Sequence, residues 1–292
     1  MKNRGRNLLV TLLLVVSGLV GVPLQHADAL TIPTQQPCGQ STTAHYDHVV
    51  WIMLENVGYS VVGSSSAPYL NGLASKCGLA TDYRAISHPS LPNYIALTSG
   101  STQGITDDGE PSTHVLRAPS IFSELGSNWR TYAESMPTSC DRVTSGQYAA
   151  RHNPAVYYLP ITASCEKNDV PLTLPLNLSS AFTMIVPNIC DDMHSCPVST
   201  GDAWLSRYVP LILASAQYQS GSLALFITFD ENDNDAINQV PTVVVAPSVP
   251  SGTKVTAALN HYALLRCTET LLHIGFLGAS KSAAPMIGSF HL

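Results

Sequence analysis

The 292-residue sequence predicts an α/β fold with a mostly parallel central sheet. Apolar runs typical of strands alternate with amphipathic runs typical of helices. Two runs, His48–Leu54 and Leu223–Phe229, are apolar on both faces, as strands inside a parallel sheet are. Polar residues follow directly after both strands, and open α/β sheets bind ligands at the carboxyl ends of their strands.

The other elements follow in order along the chain. We predict further strands at Trp129–Ala133, Phe182–Val186 and 241–246, and helices at Pro68–Lys76, 119–125, 201–215 and 260–275. The segment 134–180 is rich in Pro, Ser and Thr and predicts long loops and short helices over the ligand site. Since no internal repeat or linker divides the chain, we expect a single domain over residues 30–292.

The first 29 residues predict a secretory signal peptide. A basic start is followed by an apolar run over 8–22 and by Ala27-Asp28-Ala29, an A-x-A cleavage site. A membrane anchor is the alternative, but the run is short and interrupted by glycine. The mature protein is therefore expected to be secreted, with no stable membrane insertion.

The charge of the chain argues against nucleic-acid binding. Removing residues 1–29 takes away three basic residues and one acid, which moves the net charge from −6 to about −8. The sequence has no basic run with interleaved aromatic residues, which a nucleic-acid surface would require.

Seven cysteines, all beyond the signal segment, indicate disulfides in an exported protein. Connectivity does not follow from sequence, so pairs are assigned by proximity along the chain. Cys267 lies in an apolar helical pattern and is expected to be the odd, buried thiol. The expected pairs are Cys38–Cys77, Cys140–Cys165 and Cys190–Cys196.

The run HPSLPNY at 88–94 holds a serine between two prolines. Pro89 restricts His88 to extended geometry, and Pro92 suits the first turn of a helix. Ser90 would then lie on a stiff turn at a helix N-terminus, where exposed N–H groups favour an anion. These features make Ser90 a candidate phosphate-attacking nucleophile, with His88 beside it and Asn93 as an expected donor to the phosphate oxygens. The alternative is an ordinary proline-punctuated loop before a helix.

Two strands end in acidic or amide pairs. Glu55 and Asn56 follow the first strand, and Asp230 and Glu231 follow Leu223–Phe229. Side by side, these strand ends would form a cluster of oxygen ligands that suits a divalent metal ion such as Ca²⁺ or Mg²⁺. Two separate pairs of solvated loop acids are the alternative.

A further candidate lies in the segment 187–194, PNICDDMH, after a buried strand. Asp192 would orient His194, which would act as a general acid on a leaving group. A helix-capping acid and a surface histidine are the alternative. Three other histidines in polar contexts are candidate donors to phosphate oxygens: His88, His152 and His261.

These motifs, in this order, resemble the phosphoesterase family, which contains bacterial phospholipases C and acid phosphatases. The resemblance covers about residues 47–275 and is nearest to secreted, mycobacterial-type acid phosphatases. The motifs that carry it are EN at 55–56, HPSLPNY, PNxxDDMH, GDAWL at 201–205, a DE pair and NHYALL at 260–265. It implies an alkaline-phosphatase-like three-layer α/β/α sandwich. It also implies a metal on Glu55, Asn56, Asp230 and Glu231, with Ser90 as the nucleophile.

The expected function is that of a secreted acid phosphatase. It would hydrolyse phosphate monoesters, of small molecules or lipids, through a phosphoserine intermediate with the help of a divalent metal. Two alternatives stay open: a phospholipase C or other phosphodiesterase, and an exported binding protein whose site is inactive. The lack of a G-x-S-x-G elbow, a Walker loop and an H-E-x-x-H motif disfavours α/β-hydrolases, nucleotide cofactors and zincins.

Overall fold

A computed structural model describes residues 36–42, 45–233 and 235–292. The described residues belong to one compact unit that spans 34–292. The predicted signal peptide lies outside the described residues. Within them, no helix has both the length and the apolar character needed to cross a bilayer.

The strands form an eight-stranded sheet and a small parallel pair. The large sheet has the strand order β5-β4-β6-β1-β7-β8-β2-β9. Its strands are parallel except β8, which is antiparallel to both of its neighbours. The strands β10 and β3 make the pair. The strands are β1 (His48–Leu54), β2 (Gly78–Ala80), β3 (Tyr83–Arg84), β4 (Trp129–Ala133), β5 (Asp169–Pro171), β6 (Phe182–Val186), β7 (Leu223–Phe229), β8 (Thr242–Val245), β9 (Thr253–Val255) and β10 (Leu259–Asn260).

Helices flank the sheet, which gives the expected α/β/α arrangement. Helix α1 packs against α5 and against β2 and β8, whereas α2 packs against α7. Short 3-10 helices fill much of the segment from 150 to 161. The helices are α1 (Pro68–Lys76), α2 (Ser90–Ser99), α3 (Ile121–Glu124), α4 (Thr162–Asn168), α5 (Val198–Leu213), α6 (Ala216–Gln219), α7 (His261–Leu271) and α8 (Ile287–Phe290).

The long predicted elements are confirmed, with one clear error at a helix end. The helix predicted to reach residue 275 ends at Leu271, because His273 takes a left-handed φ of 54°. The Ile274 N–H then bonds back to the Glu269 carbonyl at 3.0 Å and closes the turn. Five strands of two or three residues, β2, β3, β5, β9 and β10, were not predicted.

The central strands carry the core and fix the positions of the site residues. Every residue of β6 and β7 is buried, and in β1 only His48 is not. Strands β1 and β7 run in register from His48 opposite Leu223 to Leu54 opposite Phe229, so they end at the same level. Glu55 and Asp230 therefore start from neighbouring points at one edge of the sheet.

Three disulfides tie loops to this framework. Cys38–Cys77, Cys140–Cys165 and Cys190–Cys196 are bonded as expected, and Cys267 is free and buried. Three disulfides are typical of proteins that fold in an oxidising compartment outside the cytosol.

Candidate active site

Ser90 is the first residue of α2, as the proline-bracketed motif predicts. Pro89 caps the helix in extended geometry, with φ −80° and ψ −160°. Pro92 lies in the first turn, where its missing N–H removes no helical bond. At the other end of the helix, Gly100 takes a left-handed φ of 73°. The serine is only 2% exposed, so its hydroxyl has a fixed surrounding.

Asn93 holds the turn that precedes Ser90. Its Oδ1 accepts from the N–H groups of Ile86 (3.0 Å) and Ser87 (2.9 Å). Its Nδ2 donates to the carbonyls of Ser87 (2.9 Å) and Pro89 (3.1 Å). Both side-chain donors are thereby used. Asn93 therefore positions the turn before Ser90, and its expected contact with substrate stays a prediction.

The Ser90 hydroxyl faces two buried carboxyl groups. It donates to Glu55 Oε2 at 2.9 Å, and Ser90 partly offsets the raised pKa of the neighbouring Asp230 carboxyl. Tyr94, one helical turn after Ser90, donates its hydroxyl to Glu55 Oε1. Glu55 and Asp230 are both fully buried. The arrangement gives the serine proton a carboxylate acceptor and places Ser90 at a strongly anionic point.

The two strand-end pairs meet, but their second members differ in their contacts. Asn56, at a left-handed φ of 53°, turns its backbone N–H to Asp230 Oδ1 (3.2 Å) and donates its side-chain amide to Glu55 Oε2 (3.0 Å). Glu231 instead accepts from His88 Nδ1 at 2.6 Å. His88 thus contacts one of the predicted metal ligands directly.

His261 supports the site from behind. Its Nε2 donates to the Asp230 backbone carbonyl at 2.6 Å, and its Nδ1 accepts from the Tyr83 hydroxyl at 3.0 Å. Burial lowers the pKa of His261 to about 4, so the ring is neutral. Both ring nitrogens have protein partners, and substrate binding by His261 stays a prediction.

The predicted pairing of Asp192 with the His194 ring is wrong. Asp192 Oδ1 accepts from the His194 backbone N–H at 2.8 Å, whereas Oδ2 lies 3.1 Å from His152 Nδ1. His152 is 1% exposed and stacks on the Tyr94 ring, with centroids 5.5 Å apart. Its Nε2 lies 3.4 Å from Glu55 Oε1 without hydrogen-bond geometry. Asp192 therefore orients His152.

The His194 ring is held by two other groups. Arg151 donates from a terminal guanidinium nitrogen to His194 Nε2 at 3.3 Å, and Nδ1 lies 3.0 Å from Ser195 Oγ. A guanidinium has no acceptor atom, so Nε2 must be the unprotonated nitrogen of a neutral ring. Burial and the nearby guanidinium also lower the pKa of His194. In this arrangement Nε2 is an acceptor, and a proton must be added before it can serve as a donor.

The GDAWL motif explains how this segment is packed. A Cβ at Gly201 would lie 2.4 Å from Met193 Cγ and 2.7 Å from the Asp191 carbonyl oxygen, so only glycine allows this approach. The next residue, Asp202, accepts from the N–H groups of Tyr69 and Leu70 in the first turn of α1 (2.9 and 2.8 Å). The motif is structural support, since its glycine and acid hold neighbouring segments in place.

Burial destabilises the charged forms of the acids around Ser90. Burial, and then repulsion from Asp230, raises the pKa of Glu55 well above its usual range. Burial raises the pKa of Asp230 to about 7, with Glu231 adding to the shift. It raises the pKa of Asp192 to about 8, and burial and Asp108 raise that of Glu231 to about 8. A bound cation would compensate the ionised carboxylates and would also attract a phosphate dianion.

The residues present fit a metal ion. Asp230 Oδ2 is buried and has no hydrogen-bond partner among the described residues. Ligand atoms of Glu55, His152 and His194 lie within 4.8 Å of one another. Cys140, Cys165 and Asp169 form a similar group, but those sulfurs are bonded to each other and are not thiolate ligands. The carboxylates beside Ser90 are thus a candidate metal centre, extended by two imidazoles that the sequence did not assign to it.

Sequence reasoning missed two charged residues beside Ser90. Asp108 Oδ1 accepts from the Leu91 N–H at 2.9 Å, and Arg151 Nε lies 3.8 Å from Asp108 Oδ2. Asp108 lies in a polar loop without periodicity, so no pattern singled it out. Arg151 directly precedes His152, and the sequence analysis named only the histidine.

Comparisons with known proteins show the family of this chain. The sequence pattern of the Phosphoesterase family matches residues 60–275. The chain belongs to the phosphoesterase family. The phosphatidylinositol-3-phosphatase of Mycobacterium tuberculosis is 30% identical over 280 residues, which cover 94% of this chain and 92% of that protein. The phosphate-repressible acid phosphatase of Penicillium chrysogenum is 29% identical over 239 residues, 75% of this chain but 57% of the fungal protein.

Solved structures show the same fold at low sequence identity. A protein of the alkaline phosphatase superfamily from Vibrio parahaemolyticus matches with a TM-score of 0.55 and 9% identity, over 85% of this chain and 72% of that one. The lipoteichoic acid synthase LtaP from Listeria monocytogenes matches with a TM-score of 0.51 and 12% identity, over 81% and 76%. Family and fold together make this phosphoesterase a phosphoric ester hydrolase.

Proposed function

We propose that this phosphoesterase is an exported acid phosphatase that hydrolyses phosphate monoesters through a phosphoserine intermediate. The observation that carries the proposal is the position of Ser90, at the start of α2 with its hydroxyl donating to Glu55 Oε2 at 2.9 Å. The proposed acid phosphatase class follows the names of the fungal relatives. Export is supported by the three disulfides and by the signal-like sequence of residues 1–29.

A divalent metal ion is part of the proposal. Glu55, Asn56 and Asp230 would hold it, with Glu231 at the edge of the set; this oxygen-rich set favours Ca²⁺ or Mg²⁺. His152 lies close enough to Glu55 to add a nitrogen ligand. When bound, such an ion supplies positive charge that lowers the pKa of a nearby hydroxyl and stabilises the phosphoryl oxygens.

The protein groups carry out the remaining steps. Ser90 Oγ attacks phosphorus and forms the phosphoserine bond, while its proton passes to Glu55, which already accepts the hydrogen bond. His194 is the proposed proton donor to the departing alcohol, once its Nε2 has taken up a proton. Water then cleaves the phosphoserine bond and releases inorganic phosphate.

The space beside the metal-binding residues suits a small ester. A cavity of about 240 Å³ opens next to Asn56, lined by three serines, three valines, Gly58 and the Asp233 carboxylate. Phosphate esters of small molecules or lipid head groups are therefore the proposed substrates. The name of the mycobacterial relative makes phosphatidylinositol 3-phosphate a first choice for a substrate panel.

The test compares Ser90→Ala with the wild-type protein on p-nitrophenyl phosphate and on its bis ester. We expect Ser90→Ala to lower turnover by about 10³-fold or more at unchanged thermal stability, and the acid-quenched wild type to carry phosphate on Ser90. Ser99→Ala, in the same helix but at its far end, is the matched control and should keep its activity. Near-normal turnover by Ser90→Ala would refute the mechanism, and preference for the bis ester would favour a phosphodiesterase.

Metal dependence is tested separately. Thorough chelation should abolish turnover, and activity should return with Ca²⁺ or Mg²⁺; adding Mn²⁺ and Zn²⁺ in parallel tests whether the His152 imidazole takes part. Turnover that survives chelation would remove the metal from the proposal.

A further inference from the structure

The first turn of α2 already binds an anion that comes from the protein itself. Asp108, in the loop 101–117, accepts a hydrogen bond from the Leu91 N–H at 2.9 Å. Leu91 directly follows Ser90, and N–H groups in a first helical turn favour negative charge. The Asp108 carboxylate thus lies beside the nucleophile, at a donor that a phosphoryl group on Ser90 would also reach.

Arg151 holds the other side of the same carboxylate. Its Nε lies 3.8 Å from Asp108 Oδ2, and its side chain is 23% exposed. This nitrogen is buried and has no hydrogen-bond partner in the described part of the chain. A guanidinium offers five donors in a fork that matches phosphate, so Arg151 has the capacity to bind one.

Unpartnered polar atoms around Ser90 indicate a cation that would help to hold a phosphoryl group at this point. His152 is 1% exposed, yet its Nε2 has no hydrogen-bond partner among the described residues, and the same holds for Asp230 Oδ2. His152 Nε2 lies 3.4 Å from Glu55 Oε1, and Asp230 accepts from the backbone N–H of Asn56, the residue after Glu55. Buried polar atoms left in this state are rare unless a ligand, ion or water completes them.

We propose that Asp108 is an internal occupant of the phosphoryl subsite, and that the phosphoryl group of the substrate displaces it from the Leu91 N–H and from Arg151. Arg151 is then a substrate-binding residue of the reaction. The exchange breaks and forms no covalent bond, and it favours a dianionic monoester over a monoanionic diester because the ligand must outcompete a carboxylate. This inference rests on the proposed function, since it names the group that binds where Ser90 reacts.

Binding of inorganic phosphate tests the exchange without turnover. Titration calorimetry would compare Ser90→Ala with double variants that add Asp108→Asn or Arg151→Gln, at one divalent metal concentration and ionic strength. Asn keeps an acceptor for the Leu91 N–H but removes the charge, so phosphate should bind about three- to tenfold more tightly, a modest gain because Asp108 is 36% exposed. Loss of the Arg151 guanidinium should weaken phosphate binding about tenfold or more.

Asp107→Asn is the matched control. Asp107 is the preceding residue, is more exposed and contacts His114 instead of the helix, so the same charge change should alter phosphate affinity less than twofold. The inference is overturned if Asp108→Asn leaves phosphate affinity unchanged or weaker, if Asp107→Asn shifts it equally, or if Arg151→Gln has no effect.

Wild-type turnover, measured in parallel, separates this inference from the proposed function. If the wild type hydrolyses no ester but the phosphate affinity of the Ser90→Ala series responds as expected to the Asp108 and Arg151 changes, the function is refuted and the exchange is supported. Normal turnover with unresponsive phosphate affinity would refute the exchange alone.

Discussion

Replacing Asn93 with alanine should destabilise the protein and impair Ser90 together. The asparagine side chain makes four hydrogen bonds of 2.9–3.1 Å to the backbone of residues 86–89, and it is 1% exposed. The substitution leaves two N–H groups and two carbonyls of the nucleophile turn without these partners. The turn should then sample other conformations, and Ser90 should leave its place beside Glu55 more often.

The size of the effect follows from those four bonds. A net contribution of about 1 kcal/mol for each bond sets an upper value near 4 kcal/mol. Ile86 and Ser87 are partly exposed, so water replaces some of the lost bonds, and a loss of about 3 kcal/mol is expected. For a domain of this size, that corresponds to a fall in Tm of roughly 6–12 °C.

Thermal unfolding and steady-state kinetics on p-nitrophenyl phosphate measure both consequences. Below its Tm, the variant should show a lower kcat, because fewer molecules hold Ser90 correctly. Asn168→Ala is the control: Asn168 is also buried, but it donates to the Ser127 carbonyl away from Ser90, so it should lower Tm and leave kcat unchanged. An Asn93→Ala protein with wild-type Tm and a raised KM would refute the reasoning and support a direct substrate contact.

Three further predictions concern packing, protonation and pH. Gly201→Ala should lower both Tm and kcat, since its Cβ would meet Met193 Cγ at 2.4 Å. Gly72→Ala is the control, because a Cβ there meets none of the described residues within 4 Å. Equal effects of the two substitutions would contradict the prediction. Ring ¹⁵N shifts should place the proton of His194 on Nδ1 at neutral pH, and a proton on Nε2 would contradict the Arg151 contact. Burial raises the pKa of Asp169 to about 7, above its unfolded value, so its contribution to stability is present at low pH and is lost as pH rises through 7. Urea unfolding should show wild type losing about 2–3 kcal/mol relative to Asp169→Asn between pH 5 and pH 8, and parallel pH curves would contradict this.

The central strands and the meeting of the acid pairs were predictable because both depend on simple regularities. Strands buried on both faces must be apolar throughout, which identifies β1, β6 and β7 from sequence. Parallel strands in register end at one edge, which brings Glu55 next to Asp230; the Asp230 N–H bonds to the Leu54 carbonyl at 3.0 Å. The strands of two or three residues carry no such pattern, because their pairing depends on neighbours far away in sequence.

The histidine partner of Asp192 was not predictable from spacing. Asp192 and His194 are two residues apart, which suggested a pair, but Met193 between them takes a left-handed φ of 82°. The His194 ring lies instead against Arg151, and Asp192 meets His152, which is 40 residues earlier in the chain. The fold, and not the local motif, decides which imidazole the carboxylate orients.

Residue type alone also does not distinguish the residues that react from the residues that hold those reactive residues in position. Asn93, His261 and Asp202 belong to the same motifs as the proposed reactive groups, yet their side chains are committed to protein partners. Asp230 Oδ2 and His152 Nε2 are buried without a hydrogen-bond partner among the described residues. Because a buried polar atom without a partner is unfavourable, these two atoms mark the point where a cation and a phosphoryl group would complete the site. The hydrogen-bonding groups without a protein partner therefore distinguish residues that take part in the reaction from residues that hold the structure. Only the folded chain shows which groups lack a partner.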